Sequence, residues 1–189
     1  MQGSGEATRQ RIVEAATELF YRLGYARASV DLIAHNAGLT KRTLYYHFRS
    51  KDDLLASVFE LQRGLSLKRI NAWSDDLPGD ATTLLDSLFA DLTNWTSQPR
   101  WAGAGFTRIV MELANLPGHP AHAIARRHKA EIEAWLANQL AEREVADTVC
   151  KARQIMLLLE GCLSLLLIHD NKAYAEMAAT AARTLVKQG

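Results

Sequence analysis

The sequence predicts an all-α protein of about nine helices. Along most of the 189 residues, apolar side chains recur every three or four positions, which places them on one face of a helix. No segment shows convincing alternation of apolar and polar residues, the pattern of a strand. Only 11 glycines and 4 prolines interrupt the helical patterns. At 48% hydrophobic and 23% charged residues, the composition is that of an ordinary globular protein.

The first two helices are predicted from their apolar faces and their end signals. The first runs from Thr8 to Gly24, a typical residue after a helix C-terminus. The second follows the N-cap residue Ser29, carries Asp31 in its first turn, where the helix dipole favours an anion, and ends at Gly38. The apolar positions of these helices are Ile12, Ala16, Leu19, Phe20, Leu23, Val30, Ile33, Ala34 and Ala37.

The third helix lies in the stretch "LTKRTLYYHF" and combines a narrow apolar stripe with many polar side chains. Thr40 is its predicted N-cap, and Leu44 and Phe48, four residues apart, form the buried stripe. A turn of about four residues separates it from the second helix. Two short helices joined in this way predict a helix-turn-helix, whose second helix enters the DNA major groove.

The fourth helix begins at the capping pair Ser50 and Asp53 and continues to about Trp73 without a flexible linker before it. Further helices are predicted at about 81–96, 102–113, 120–142, 145–169 and 174–187. We therefore expect a three-helix DNA-binding domain over residues 1–50 and a larger helical domain over residues 51–189.

The charge distribution indicates an anionic partner for the N-terminal part. Residues 1–51 contain eight Lys and Arg against four acidic residues, a net charge of +4, whereas the whole chain carries only +1. An excess of four charges is a modest signal, so the positions of the side chains on the third helix decide the interpretation.

The predicted DNA contacts fall into two groups. Lys41, Arg42 and Thr43 lie at the N-terminal end of the third helix, which points at base edges, and are predicted to read sequence. The other group is predicted to contact the phosphate walls and set the register, with some contact to thymine. It comprises Tyr45, Tyr46, His47, Ser29, Thr40 and Lys51.

The stretch from Arg9 to Leu55, "RQRIVEAATELFYRLGYARASVDLIAHNAGLTKRTLYYHFRSKDDLL", resembles the N-terminal domain of the TetR family of transcriptional regulators. Arg42 departs from the glycine of many members, and Ala28 from a frequent threonine. The resemblance implies a dimer that pairs through its last two long helices, a C-terminal domain that binds a small effector, and repression as the usual mode. Two reading heads about 34 to 36 Å apart would recognise a palindrome.

The dimer interface is predicted on the last two helices. The run "IMLLLEGCLSLLLI", residues 155–168, is apolar on nearly all sides, which indicates contacts on more than one face. The following helix has a face of small residues. The alternative is a central helix in a monomer core. The predicted interface residues are Leu158, Gly161, Cys162, Leu165, Ala178, Ala182 and Leu185.

An effector pocket is expected to be apolar with a few polar groups at its edge, although core packing is the simpler role for each candidate. The apolar candidates are Trp73, Phe89, Trp95, Trp101, Phe106, Met111, Trp135 and Met156, and the polar candidates are Glu112, Arg126 and Glu160.

Other chemistries receive less support. His119, His122, His128 and Glu131 lie within thirteen positions but do not form an HExxH motif, so no metal site is predicted. We also expect no enzyme activity and no cofactor. Cys162 leaves open a thiol-based redox sensor, and a DNA-binding dimer gated by a protein partner is the other alternative. The N-terminus lacks the apolar core of a signal peptide, and residues 155–168 are shorter than a membrane span, so a cytoplasmic protein is expected.

Overall fold

The computed structural model describes residues 2–75, 79–99, 101, 103 and 105–187, and the side chains of residues 2–4 and 71–75 fall outside this description. The described part contains nine helices and no strand, so the all-α prediction is confirmed. In chain order the helices are α1 Gln2–Leu23, α2 Val30–Asn36, α3 Lys41–His47, α4 Lys51–Asp75, α5 Ala81–Thr96, α6 Gly105–Glu112, α7 Pro120–Ala141, α8 Thr148–His169 and α9 Ala173–Lys187.

Side-chain caps fix the starts of the short helices, as the sequence predicts. At α2, Ser29 Oγ accepts a hydrogen bond from the Leu32 amide over 3.2 Å. At α3, Thr40 Oγ1 accepts one from the Thr43 amide over 3.1 Å. Each cap satisfies an amide that has no partner within its own helix. The start of each of the two helices is therefore fixed by its own cap, and the cap of α3 also marks the end of the turn between them.

α4 begins with the predicted reciprocal pair. Ser50 Oγ accepts from the Asp53 amide over 3.0 Å, and Asp53 Oδ2 accepts from the Arg49 amide over 3.1 Å. The first bond is the cap of a capping box, whereas the second differs from that motif because Asp53 accepts from the residue before the N-cap. This pair fixes where the chain leaves α3 and enters α4.

Three helices start at different residues from those predicted. α1 begins at Gln2 instead of Thr8, α6 at Gly105 instead of about residue 102, and α8 at Thr148 instead of about residue 145. Residues 2–7 contain no apolar repeat, so periodicity carried no helix signal there. At α8, the N-cap Asp147 has a left-handed backbone and makes no side-chain cap hydrogen bond, so the usual start signal is missing.

The chain divides into two compact units, and the division differs from the predicted boundary at residue 50. Unit 1 contains Met1–Ser66 together with Gly105–His128, and unit 2 contains Leu67–Ala104 together with Lys129–Gly189. Unit 1 is therefore discontinuous in sequence. The reason lies in packing, because α6 and the start of α7 bury apolar side chains against α1 and α4.

The core of unit 1 joins the first four helices to the returning segment. Phe20 and Leu44 are fully buried in it. From the returning segment, Phe106 and Ile109 enter the same core, and the Phe106 ring centroid lies 4.5 Å from that of Phe59. Burying aromatic side chains of this size stabilises a core by roughly 1.5 to 3 kcal/mol each. The returning segment is thus an integral part of the unit that carries the helix-turn-helix.

The core of unit 2 is built from α5, the later part of α7, α8 and α9. α9 packs against both α5 and α8. α8 is 22 residues long, and an 18-residue stretch of it has a mean hydropathy of 1.4, so its length and composition alone would allow it to cross a membrane. The sequence analysis expected residues 155–168 to be too short to span a membrane. That expectation is corrected, because helical residues before and after this run extend α8 to 22 residues. The core helix of a soluble protein passes the same test.

Candidate nucleic-acid interface

The helix-turn-helix is anchored on the core by Leu44 of α3 and by the C-cap residue Phe48. Leu44 is fully buried and Phe48 is 2% exposed. The Arg9 guanidinium of α1 lies 4.8 Å from the centroid of the Phe48 ring and donates to Ser57 Oγ over 3.0 Å. Because these contacts fix α3 through one side, its remaining side chains are available to a partner without weakening the core.

The turn between α2 and α3 is fixed by backbone hydrogen bonds and by α1. Gly38 has a φ of +65°, a left-handed conformation that glycine adopts without strain. The Leu39 amide donates to the Ala34 carbonyl over 2.9 Å, which closes the end of α2. Arg11 Nη2 donates to the Ala37 carbonyl over 2.6 Å. The angle at which α3 leaves the turn is thus defined by contacts on both sides.

Four of the side chains predicted to contact DNA are exposed on α3. Tyr46 is 86% exposed and Tyr45 is 46% exposed. Lys41 and Arg42, at the N-terminal end of the helix, are also exposed. Cationic, hydroxyl and aromatic groups on one exposed helix are suited to base edges and phosphates in a major groove.

Several of these groups already have partners within the protein. Lys41 Nζ donates to Asp31 Oδ2 of α2 over 2.9 Å. The Thr40 and Thr43 hydroxyls lie 2.9 Å apart, and the Tyr46 and His47 rings meet edge to face at 5.2 Å. Asp31 was predicted only as a residue favoured by the helix dipole. Its pairing across the turn has no signal in the local sequence.

Lys51 differs from the other predicted contacts because its ammonium points into the protein. It donates to the Tyr25 carbonyl and lies 4.2 Å from the centroid of the Tyr25 ring. Partial burial lowers the pKa of Lys51, although the charges of Asp52 and Glu112 oppose this change. In the structure, Lys51 therefore contacts the turn between α1 and α2. The sequence did not predict this contact, because Tyr25 lies 26 residues away from Lys51.

The residues predicted to line an effector pocket are divided between the two units. Unit 1 contains Phe106, Met111, Glu112 and Arg126, whereas unit 2 contains Phe89, Trp95, Trp101, Trp135, Met156 and Glu160. Trp73 lies outside the residues whose side chains are described. Two surface grooves of about 520 and 660 Å³ are lined by other residues.

The four unit 1 candidates have clear local positions. Phe106 is 8% exposed and also stacks on His128 with ring centroids 4.3 Å apart, so it is a core residue. Glu112 accepts a hydrogen bond from the Ala26 amide over 3.1 Å. Met111 and Arg126 are exposed. None of these four residues lines either of the two surface grooves.

Among the unit 2 candidates, Phe89 and Met156 belong to the core, and Trp101 and Trp135 pack against it. The Trp101 indole Nε1 is buried and has no hydrogen-bond partner among the described residues. Glu160 forms a partly buried ion pair with Lys129. The remaining candidate, Trp95, is 42% exposed and meets Trp101 edge to face at 6.1 Å.

The residues predicted at the dimer interface separate into buried and accessible groups. Cys162, Ala178 and Ala182 are enclosed in the core of unit 2, since α9 packs on α5 and α8 of its own chain. Leu158 and Leu185 are partly buried against that core. Gly161 and Leu165 are exposed, and α8 presents further exposed apolar residues that the sequence analysis did not select, Leu157 and Ile168.

The histidines considered as metal ligands make separate contacts. His119 Nδ1 accepts from the Ala121 amide over 3.1 Å, and His122 Nε2 lies 3.0 Å from the Leu113 carbonyl. His128 is stacked on Phe106. In the part of the chain that can be described, no three His, Cys, Asp or Glu side chains are grouped so that they could hold one metal ion.

Residues 12–58 match the family model described as bacterial regulatory proteins, tetR family. YjdC, an HTH-type transcriptional regulator from Escherichia coli, is 25% identical over 95% of this chain and 93% of its own length. YerO, an HTH-type transcriptional regulator from Bacillus subtilis, is 34% identical over 38% of this chain, but the match spans only 25% of YerO. The crystal structure of SCO4454, a TetR-family transcriptional regulator from Streptomyces coelicolor, is similar in fold, with a TM-score of 0.85 at 23% identity over 95% of this chain and 94% of that one.

Proposed function

Since this chain belongs to the TetR family of transcriptional regulators, we propose that it is a repressor that binds a palindromic operator as a homodimer. A small-molecule effector releases it from the DNA. The proposed site of DNA reading lies within residues 1–50, and effector binding and dimerisation lie within residues 51–189. The protein acts in the cytoplasm, catalyses no reaction and uses neither a cofactor nor a membrane.

The observation that carries the proposal is the contrast between the two sides of α3. Leu44 and Phe48 are buried, whereas Lys41, Arg42 and Tyr46 are exposed around them. An anchored helix with cations at its N-terminal end is suited to sequence reading in a major groove. The predicted positive charge of the N-terminal part favours its approach to DNA.

The exposed side of α8 supports the homodimer. Leu157 is 69% exposed and Ile168 is 68% exposed, and Gly161 and Leu165 lie between them in the helix. A line of exposed apolar side chains on a helix whose other side is buried in the core is typical of a surface that a second copy covers. We propose that Gly161 and Leu165 lie at its centre, with Leu158 and Leu185 at its edges.

The proposed effector site is in unit 2. Its support is the buried indole donor of Trp101, which packs against the core that contains Phe89 and Met156. Trp135 packs against the same core, and Glu160 and Lys129 are polar groups of the same unit. An unpaired buried donor is costly, and a ligand acceptor would remove that cost. This arrangement favours a small, mainly apolar effector with at least one hydrogen-bond acceptor.

The experiment that tests DNA reading is selection of bound duplexes from a random library. The wild-type chain is compared with Arg42→Ala and Tyr46→Phe, and Arg22→Ala serves as a control that removes an exposed Arg outside α3. The selected sequence should be palindromic, and Arg42→Ala should reduce discrimination at one base position by about 1 to 3 kcal/mol. If no motif is enriched and only weak, salt-sensitive binding remains, the proposed repressor function fails.

A further inference from the structure

Three residues on one face of α6 contact the C-terminal end of α1 and the turn that follows it. They are Gly105, Arg108 and Glu112, and we call them the α6 contact face. Spacings of three and four residues place them on the same side of a helix. All three contacts lie within unit 1.

The contact face fits the end of α1 closely. A Cβ at Gly105 would lie 1.4 Å from a carbon of the Tyr21 ring, so only glycine allows this approach. Arg108 Nη1 donates to the Tyr21 carbonyl over 3.0 Å. This carbonyl lies in the last turn of α1, where backbone acceptors lack a helical partner.

Glu112 contacts the turn itself. Its Oε2 accepts from the Ala26 amide over 3.1 Å, and a Cβ at Gly24 would lie 2.3 Å from its Oε1. Gly24 also has a φ of +84°, so the backbone favours glycine there, and a larger residue would in addition displace the Glu112 carboxylate. Glu112 therefore holds the turn that leads directly to Ser29 and α2.

His119 contacts the same turn from a second direction. Its side chain is 3% exposed, and Nε2 lies 3.4 Å from Asp52 Oδ1 at the start of α4. The His119 ring meets the Tyr25 ring edge to face at 5.7 Å, and the Tyr25 hydroxyl donates to the same Asp52 oxygen. The turn is thus contacted by Asp52 of α4, by Glu112 of α6 and by His119, which directly precedes α7.

We infer that Glu112 is a positioning residue for DNA reading, which acts by fixing the turn between α1 and α2 rather than by binding effector or DNA. This turn carries Tyr25, whose carbonyl holds Lys51, and it sets the start of α2, against which α3 packs. When the Glu112 acceptor is lost, α3 stays folded, but its position relative to α1 is less well fixed. The inference rests on the proposed DNA-binding function.

The test compares Glu112→Ala with Glu112→Gln, which keeps an oxygen acceptor for the Ala26 amide but loses the charge. Glu14→Ala is the matched control, because Glu14 is exposed on α1 and, among the described residues, accepts from Gln10 of the same helix alone. For each variant, hydrogen exchange of the Ala26 amide and affinity for the selected operator are measured. The unfolding transition is recorded beside them.

In Glu112→Ala, exchange of the Ala26 amide should accelerate by about three- to tenfold, and operator affinity should fall by a similar factor. Glu112→Gln should restore both values to within about twofold of wild type, because a neutral amide oxygen replaces the acceptor. Equal defects in both variants, or unchanged affinity in Glu112→Ala despite faster exchange, would overturn the inference. Should the wild-type chain bind no DNA, the proposed function fails, while the exchange data still report whether Glu112 holds the turn.

Discussion

Lys41 donates to Asp31 over 2.9 Å, so the first residue of α3 is tied to α2 by an ion pair. The hydrogen bond to Asp31 and its negative charge raise the pKa of Lys41, which keeps the ammonium charged. Both side chains are at least half exposed, which limits the contribution of the pair to folding. A base or phosphate that binds Lys41 must therefore compete with Asp31.

Asp31→Asn should strengthen DNA binding. The change removes the competing carboxylate and its repulsion of nearby phosphates, so affinity at low salt should rise about two- to fivefold. Fluorescence anisotropy with a labelled operator over a series of salt concentrations measures this effect. Asp91→Asn, which removes one exposed charge on α5, is the control. Weaker binding by Asp31→Asn would mean that Asp31 itself contacts the DNA.

Leu44→Ala and Tyr46→Ala should separate folding from recognition. Leu44 is fully buried, and its truncation should lower the free energy of unfolding by about 2 to 5 kcal/mol. Tyr46 is 86% exposed, so its truncation should change that free energy by less than about 0.5 kcal/mol. Urea unfolding followed by circular dichroism gives both values. Although the Tyr46→Ala protein stays folded, its affinity for the operator should be lower than that of the wild-type chain. Unchanged affinity would show that Tyr46 does not contact the DNA.

The sequence predicted the helix-turn-helix well because its signals are local. Ser29, Thr40, Ser50 and Asp53 each accept an amide within four residues of themselves, so spacing alone identifies them. The return of α6 to unit 1 could not be predicted in this way. A short apolar helix shows which of its faces is buried, but the identity of the helices that cover that face depends on the tertiary fold.

Part of the predicted dimer interface is buried within the chain itself, because the sequence does not show which helix covers an apolar face. A face of small residues on α9 indicates close packing, but it does not distinguish a helix of the same chain from one of a partner. In the structure, Ala178 and Ala182 pack on the chain's own helices, and the accessible apolar residues of α8 lie on another side. The apolar periodicity therefore predicted which positions of α9 are buried, but it could not predict which helix packs on them.

Leu157→Asp should disrupt the proposed homodimer. A carboxylate placed on the exposed apolar side of α8 would have to be buried without a partner when two copies associate. Light scattering over a range of protein concentrations should show a monomer, and operator binding should weaken by about tenfold or more as paired reading is lost. Leu116→Asp is the control, since Leu116 is an exposed leucine of unit 1. A Leu157→Asp protein that stays dimeric would place the interface elsewhere.

The two cysteines should react at different rates with a thiol reagent. Cys150 is exposed, whereas Cys162 is buried and burial raises the pKa of its thiol. The thiolate is the reactive form, so Cys162 should react slowly near neutral pH and faster only as pH rises above the usual range of a cysteine. A spectrophotometric thiol assay should give one fast equivalent, which Cys150→Ser removes, and a second on unfolding. Rapid reaction of Cys162 in the native protein would favour regulation by oxidation.

The discontinuity of unit 1 also bears on how the protein is made. Protein synthesis proceeds at about 5 to 20 residues per second, so α6 leaves the ribosome several seconds after α3. Until then the nascent chain lacks Phe106 and Ile109, which complete the core beneath the helix-turn-helix. A finished reading head therefore forms only after about two thirds of the chain has been translated, since unit 1 extends to His128.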